Sequence, residues 1–282
     1  MQEEQRRETQ RRIGAALHVA DSFDPVAEGE RRIEFLCERL TRTGRRTLVL
    51  GISGGVDSLL AGLLAQNAAR RLRERGRDAS FIAMRLPYGA QKDEGEAQEA
   101  VQAIRPDRVM TVNIKPAADA LLAAVESSGQ VFESPSARDF ILGNIKARQR
   151  MVAQYAVAGA TGGLVIGTDH AAEALMGFFT KFGDGACDLT PLTGLDKRRV
   201  RQLALAFGAP AHLAAKVPTA DLEDLVPLKP DEHALGVSYE EIDDFLEGKP
   251  VNDAAWDRIM RQYIATAHKR AHPYTPFDRI DD

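Results

Sequence analysis

Between Gly51 and Ser58 the chain reads GISGGVDS, and here residue types and spacing first point to chemistry. Gly54 and Gly55 let a backbone turn sharply and come close to a phosphate, while Ser53 and Ser58 offer hydroxyl donors. Upstream, Leu48, Val49, Leu50 and Ile52 read as a buried parallel strand; downstream, Leu59, Leu60, Leu63 and Leu64 recur at helical spacing. The loop therefore joins a strand to a helix N-terminus, whose unpaired amides and positive dipole end receive anionic oxygen. It lacks the Gly-Lys-Ser/Thr of a Walker A loop and is not GxGxxG, so neither of those nucleotide chemistries follows. Asp57 would stand nearest the phosphates and repel them unless a hard divalent cation lay between, which makes Mg²⁺ and a pyrophosphate or triphosphate the expected guests.

A second signal follows the apolar segment 164–167, in Gly167-Thr168-Asp169-His170-Ala171-Ala172-Glu173. With a helix beginning at Ala171, Glu173 falls in its first turn, near the same edge as Asp57. Two carboxylates from adjacent strand ends would pair on Mg²⁺; the alternative is an acidic residue that only complements the helix dipole. His170, at a loop-helix junction, reads as a capping or packing group rather than a catalytic base. Arg85 and Tyr88 either meet the nucleotide or close a turn with Pro87 and Gly89. Phe178, Phe179 and Phe182 beside Lys181 and Asp188 suit either a core or a pyridine and ribose. Lys197 opens a basic run that either reaches phosphates or is a solvated face.

These groups need a scaffold, and its pattern is alternation. After the central strand and helix come a strand over 81–86, a helix over 95–104, a strand over 109–114, a helix over 116–127, a longer helix over 137–157 and a strand over 164–167. That predicts an α/β fold, a doubly wound parallel sheet with helices on both faces and ligands beyond the carboxyl ends of the strands. On the long helix Ile141, Ile145 and Met151 form the expected buried stripe, with Asn144, Lys146, Arg148 and Arg150 polar. Asp24-Pro25 caps and opens an earlier helix that places Cys37 in the core. Before it, a weakly amphipathic helix carries Ile13 and Leu17 to the body or to a second subunit. Residues 217–232, with Pro227 and Pro230, read as an irregular mobile flap. Two more helices, over 238–246 and 253–267, complete the pattern.

The sequence has 282 residues, 44% of them hydrophobic, which suits a single domain, 1–282, with a large core. A net charge of −4 argues against a nucleic-acid partner. The charged start MQEEQRRETQRR is no signal peptide, no window reaches the ~20 apolar residues of a membrane span, and two distant cysteines, Cys37 and Cys187, fit a reducing cytoplasm.

Ser-Gly-Gly-x-Asp-Ser after a strand resembles the pyrophosphate loop of the N-type ATP pyrophosphatases, with their adenine nucleotide alpha hydrolase-like fold. Taken with MRLPYGAQKDE, GNIKARQRM, IGTDHAAEA, FFTKFGDGACDLTPLTGLDKR, PTADLEDL, LGVSYEEIDDFLEGK and AHKR, roughly residues 20–277 resemble the ammonia-dependent NAD synthetase family. The resemblance implies ATP-dependent amidation of deamido-NAD⁺ by ammonia through an adenylate, the final step of NAD biosynthesis. It implies that Gly51, Ile52, Ser53, Gly54, Gly55, Val56, Asp57 and Ser58 cradle ATP, with Thr168, Lys197 and Thr219 also on ATP and Asp57 and Glu173 on Mg²⁺. Arg148, Lys181, Asp188, His268 and Lys269 would hold deamido-NAD⁺, the last two from the partner of a homodimer; Asp57, Lys181 and Asp188 are the implied catalytic residues. Val56 departs from the glutamine often found in the family's loop. No glutaminase domain is expected, hence free ammonia as nitrogen donor. Other enzymes share the loop, and a tRNA-modifying ligase would need the basic surface and usable cysteines this chain lacks; a non-catalytic nucleotide sensor would not need Glu173, Lys181 or Asp188.

Overall fold

The computed structural model describes residues 2–89, 94–220, 225 and 229–277. In chain order the elements are α1 (Gln2–Ala16), α2 (Pro25–Thr43), β1 (Thr47–Gly51), α3 (Val56–Glu74), β2 (Ser80–Arg85), α4 (Glu94–Ile104), β3 (Arg108–Thr111), α5 (Lys115–Ser127), α6 (Pro135–Thr161) and β4 (Gly163–Val165). They continue as α7 (Ala171–Met176), α8 (Lys197–Ala206), α9 (Ala211–Ala214), β5 (Thr219–Ala220), β6 (Lys229–Pro230), α10 (Asp231–Leu235), α11 (Tyr239–Leu246), α12 (Asp253–Ala265) and α13 (Ala267–Arg270).

The main sheet is parallel with strand order β3-β2-β1-β4, so β1 is central and covered on both faces. That burial explains its unbroken apolar run. Leu48 and Leu50 face Ile33, Leu36 and Leu40 of α2, Leu60 and Leu64 of α3 and Leu203 of α8, while Val49 joins Ile82, Met84 and Val165 under α6. A third layer packs α1, α7, α11 and α12 around Ile13, Leu17, Leu175, Ile242, Phe245 and Ile259, which settles α1 onto the body. The expected cap forms, Asp24 accepting from Val26 N and Ala27 N at 2.9 Å, and Gly44, which the sequence reading did not single out, ends α2 at φ 64. Cys37 lies in the core beside α3.

Several boundaries differ from the sequence reading. Strand β3 stops at Thr111 because Asn113 folds back, its Oδ1 accepting from Gly89 N and Lys115 N, and α5 begins at once. On α6, Ile145 is buried and Met151 half-buried, but Ile141 is exposed, since the start of this 27-residue helix overhangs the sheet. The stretch expected to be irregular holds a short antiparallel pair, Thr219 against Pro230 and Ala220 against Lys229. Helix α10 then starts directly after Pro230, whose ring ends the strand without obstructing the helix it precedes.

Sheet order also sets where a ligand crevice can open. From β1 the chain moves to β2 and β3 on one side and reaches β4 only later, on the other, so the topology switches between β1 and β4. Ile52 N still donates to Met84 O of β2, whereas β4 leaves β1 after Ile166 N meets Val49 O and turns to pair Ile166 with Leu189. Gly51 N, which a continuing β4 would have satisfied, donates instead to Gln154 Oε1 of α6 at 2.8 Å. On the other flank Gly54 has φ +90, and a Cβ there would lie 3.0 Å from Ala97 N of α4. Only glycine allows α4 that close.

Two outcomes follow. Gln154→Leu leaves the half-buried Gly51 amide unpaired and should lower unfolding free energy by ~1–3 kcal/mol in urea titration. Gly54→Ala combines positive φ with the Ala97 clash, worth about 1–3 kcal/mol of strain, and should lower the unfolding free energy by that amount in the same titration.

Candidate active site

The glycine loop is organised by its own serines. Ser58 Oγ donates to Gly55 O at 3.1 Å and accepts from Ser53 N at 3.2 Å, while Gly55 N donates to Ser53 Oγ at 3.2 Å. Gly55 caps α3 without a side-chain acceptor, so the first-turn amides beyond it have no protein side chain to cap them. This is the anion-binding geometry expected of a strand-loop-helix turn.

Asp57, in the first turn of α3, meets two other elements there. Lys197 Nζ, from the start of α8, donates to both Asp57 oxygens at 3.0 and 2.8 Å and lies 4.0 Å from Glu173 Oε1 of α7. His170 Nε2 is 3.4 Å from Asp57 Oδ1, 3.4 Å from Glu173 Oε1 and 3.3 Å from Lys197 Nζ. Burial works against charge on Asp57, Lys197 and His170, and neighbouring opposite charges offset it. Lys197 and His170 hold Asp57 well below the usual carboxylate range in spite of its burial. Burial lowers Lys197, yet Asp57 and Glu173 leave its pKa above the usual value. Burial likewise opposes the His170 proton, but Glu173 and Asp57 push the imidazole up to about 9. Capping was the expected role of His170, and it stands at the N-cap of α7, its Nδ1 3.5 Å from Glu173 N, which it accepts from in the neutral imidazole. Its membership of the charged cluster was not expected.

Thr168 sits just past the Ile166 bridge, at the carboxyl end of the β4 side. Thr219 lies on β5, and the adjoining Pro218 O accepts Asp231 N at 3.0 Å, which ties this hairpin to α10. A separate basic patch gathers the residues expected on the dinucleotide. Arg148 Nη2 donates to Lys181 O at 3.2 Å, Lys181 Nζ donates to His268 O, and Lys269 Nζ donates to Gly177 O and Phe179 O at 2.9 and 2.8 Å. Asp188 lies on the outer edge of β4, its Oδ2 accepting from Val165 N at 2.8 Å and its Oδ1 from the Tyr155 hydroxyl at 3.3 Å. Arg85 and Tyr88, whose roles the sequence left open, are engaged by protein groups that the sequence reading did not name. Arg85 is buried and forks onto Glu94 at 2.8 and 3.2 Å, and Tyr88 donates to Asp119 beneath the Lys146 ammonium, 4.0 Å from its ring.

Two groups near Lys197 escaped the sequence reading. The Tyr239 ring lies 4.9 Å from Lys197 Nζ, and its hydroxyl donates to buried Asp231 at 3.2 Å. In sequence Asp231 is only an acid beside a proline; nothing there signals burial next to Lys197. Cys187 is no nucleophile: burial, with Asp169 and Asp188 adding to it, pushes the thiol up to about 12.

Comparison with known proteins agrees with this geometry. The family model described as NAD synthase matches residues 28–273. A curated NH(3)-dependent NAD(+) synthetase from Burkholderia lata is 62% identical over 269 residues, covering 95% of each chain, and one from Burkholderia pseudomallei is 60% identical over 268 residues, covering 95% of this chain and 94% of its own length. Among solved structures, the crystal structure of NAD+ synthetase from Burkholderia pseudomallei aligns with TM-score 0.83 at 57% identity, covering 95% of this chain and 98% of that one. The structure of NMN synthetase from Francisella tularensis aligns with TM-score 0.79 at 35% identity, covering 91% and 100%. With the family model matching residues 28–273 and relatives 60–62% identical along 95% of its length, the chain belongs to the NAD synthase family.

Proposed function

We propose that the chain makes NAD⁺ from deamido-NAD⁺, ATP and ammonia, the final step of NAD biosynthesis, and that the charge cluster around Asp57 is where ATP is activated. The single observation that carries this reading is the convergence of Asp57, Glu173 and Lys197 at the open N-terminus of α3. A carboxylate cannot acylate ammonia directly, since it would have to expel oxide. Attack of the nicotinate oxygen on the ATP α-phosphorus forms a P–O bond, breaks the α–β bridge and releases pyrophosphate. Ammonia then adds at the acyl carbon, the C–O bond to AMP breaks, and the surplus proton leaves to solvent.

The donor set suits magnesium. Asp57 and Glu173 offer hard carboxylate oxygens, and with His170 their ligand atoms lie within 4.8 Å of one another. The ion would supply charge neutralisation along the triphosphate. The α3 amides from Gly55 onward would receive the phosphates, Lys197 would meet them once off Asp57, and Thr168 and Thr219 would contact ATP. Arg148, Lys181, His268 and Lys269 would hold deamido-NAD⁺, with Asp188 at the edge of the same substrate site. Catalysis then consists of positioning and electrostatic stabilisation, with Asp57, Lys181 and Asp188 as the groups it depends on. No covalent nucleophile is needed.

The same reading makes the protein a cytoplasmic homodimer without nucleic-acid or membrane partners. Among the described residues no helix is long and apolar enough to cross a membrane. Leu121 of α5, Val131 of the linker and Phe140, Ile141 and Val152 of α6 are exposed, an apolar surface that fits a second copy. Because Arg148, Lys181, His268 and Lys269 interlock within one chain, a neighbouring subunit that borrows His268 and Lys269 would borrow the set.

Purified protein incubated with ATP, Mg²⁺, ammonium and deamido-NAD⁺ should form NAD⁺ with one pyrophosphate per turnover. Nicotinate mononucleotide should be the poorer acceptor, and a preference for it would move the protein toward the NMN-forming relative. Glutamine should replace ammonium poorly; equal turnover with it would refute the choice of donor. Asp57→Ala should abolish pyrophosphate release, and full activity in that variant would remove the metal role.

A further inference from the structure

Beside the charge cluster lies a carboxylate that the reaction outlined above does not use. Asp231, the first residue of α10, is 7% exposed. Its Oδ2 accepts from the Tyr239 hydroxyl at 3.2 Å, but its Oδ1 is buried with no hydrogen-bond partner among the described residues. Leaving a buried carboxylate oxygen without a donor is costly, so its persistence calls for a use in another state of the protein. The groups around it identify that use. Burial pushes the Asp231 carboxyl up to about 6, Lys197 is the strongest force holding it down, and Glu173 and Asp57 push it further up. The Tyr239 ring spans the gap, its face 4.9 Å from Lys197 Nζ and its hydroxyl on Asp231.

We propose that Asp231 is a positioning residue that holds the Lys197 ammonium in its nucleotide-bound position, taking one of its hydrogens when Asp57 turns to the metal. This rests on the metal role of Asp57 proposed above. Lys197 now lies on both oxygens of Asp57, the atoms a cation would claim. An ammonium has three donors, and a lysine only 1% exposed needs acceptors for all of them wherever it goes. Phosphate oxygens provide for part of that; Asp231 Oδ1, across the Tyr239 ring from Lys197, is a buried acceptor with no partner among the described residues. Pro218 O holds Asp231 N at 3.0 Å, so the anchor also joins the Thr219 hairpin to the movement of Lys197.

The test is calorimetric binding of magnesium α,β-methylene-ATP, which cannot be cleaved at the reacting bridge, to the full chain. Asp231→Asn should bind ~10-fold more weakly than wild type, the scale of loss for groups that orient a contacting residue. In a Lys197→Met background the same change should add little, because the ammonium it serves is gone. Multiplying losses in the double variant would mean that Asp231 acts on the nucleotide or metal directly and would overturn the inference, as would unchanged binding by Asp231→Asn. Without metal and nucleotide, Asp231→Asn should melt at or above wild type, since it removes a buried charge; a markedly lower melting temperature would show Asp231 already supporting the resting structure, and also overturns it. Failure of wild type itself to bind in a magnesium-dependent way would instead sink the reading of Asp57.

Discussion

A lysine 1% exposed and two carboxylates can share a protein interior only if each compensates the others. Breaking such a pair by removing one member typically costs ~3–5 kcal/mol, because the survivor is left as an uncompensated buried charge. The Lys197 to Asp57 contact therefore constrains the fold as much as any apolar cluster does. It requires the first turns of α3, α7 and α8, from three distant parts of the sequence, to arrive at one point. Asp196 and Asp243 enforce the arrival of α8: Asp196 accepts from Arg199 N as its N-cap, and Asp243 of α11 accepts from Lys197 N and Arg198 N at 2.9 and 2.8 Å. Burial pushes Asp243 up to about 7, with Asp196 adding to it, which marks how far the structure goes to fix that helix start.

The sheet delivers the opposite side of the site. A parallel sheet whose order reverses at its centre leaves two strand ends parting, and here they part between β1 and β4. Gln154 keeps the end of β1 hydrogen-bonded where β4 has turned away, and Gly54 lets α4 close on the loop from the other flank. Helix α6 links these functions, since one face holds Gly51 through Gln154 while Arg148, less than two turns away, belongs to the basic patch around Lys181. At 27 residues it is about 40 Å long. A single rigid rod thus spaces the nucleotide loop from the proposed dinucleotide contacts.

What the sequence disclosed follows the range of the forces involved. Strand-loop-helix around Asp57, the capped start of α2 and the alternation of strands and helices are local or periodic signals, and all were legible. The pairing of Asp57 with Glu173 could be anticipated because both sit at carboxyl ends of strands, which topology brings together. Three things were not legible, and all are tertiary. Burial of Asp231 depends on a hairpin and on Tyr239, eight residues on; the choice of Gln154 as acceptor depends on where β4 departs; and Ile141, apolar and in helical register, faces outward because α6 overhangs the sheet. His170 shows the limit most sharply. Its cap was readable from position, but its raised pKa comes from Glu173 and Asp57, and Asp57 stands 113 positions earlier in the chain.

A chain of net charge −4 that takes two polyanionic substrates cannot rely on its overall field to attract them. Attraction has to be local and short-ranged. In the proposed reaction it would come from the amides at the start of α3, from the Lys197 ammonium and from the patch of Arg148, Lys181 and Lys269. The acidic groups have a complementary role. Asp57, Glu173 and Asp231 would repel a bare triphosphate, so on this reading the loop would take phosphate together with a cation. In the proposed reaction that makes the carboxylates the source of the metal requirement, and it makes Lys197 the occupant that keeps the site in order until metal and nucleotide arrive together.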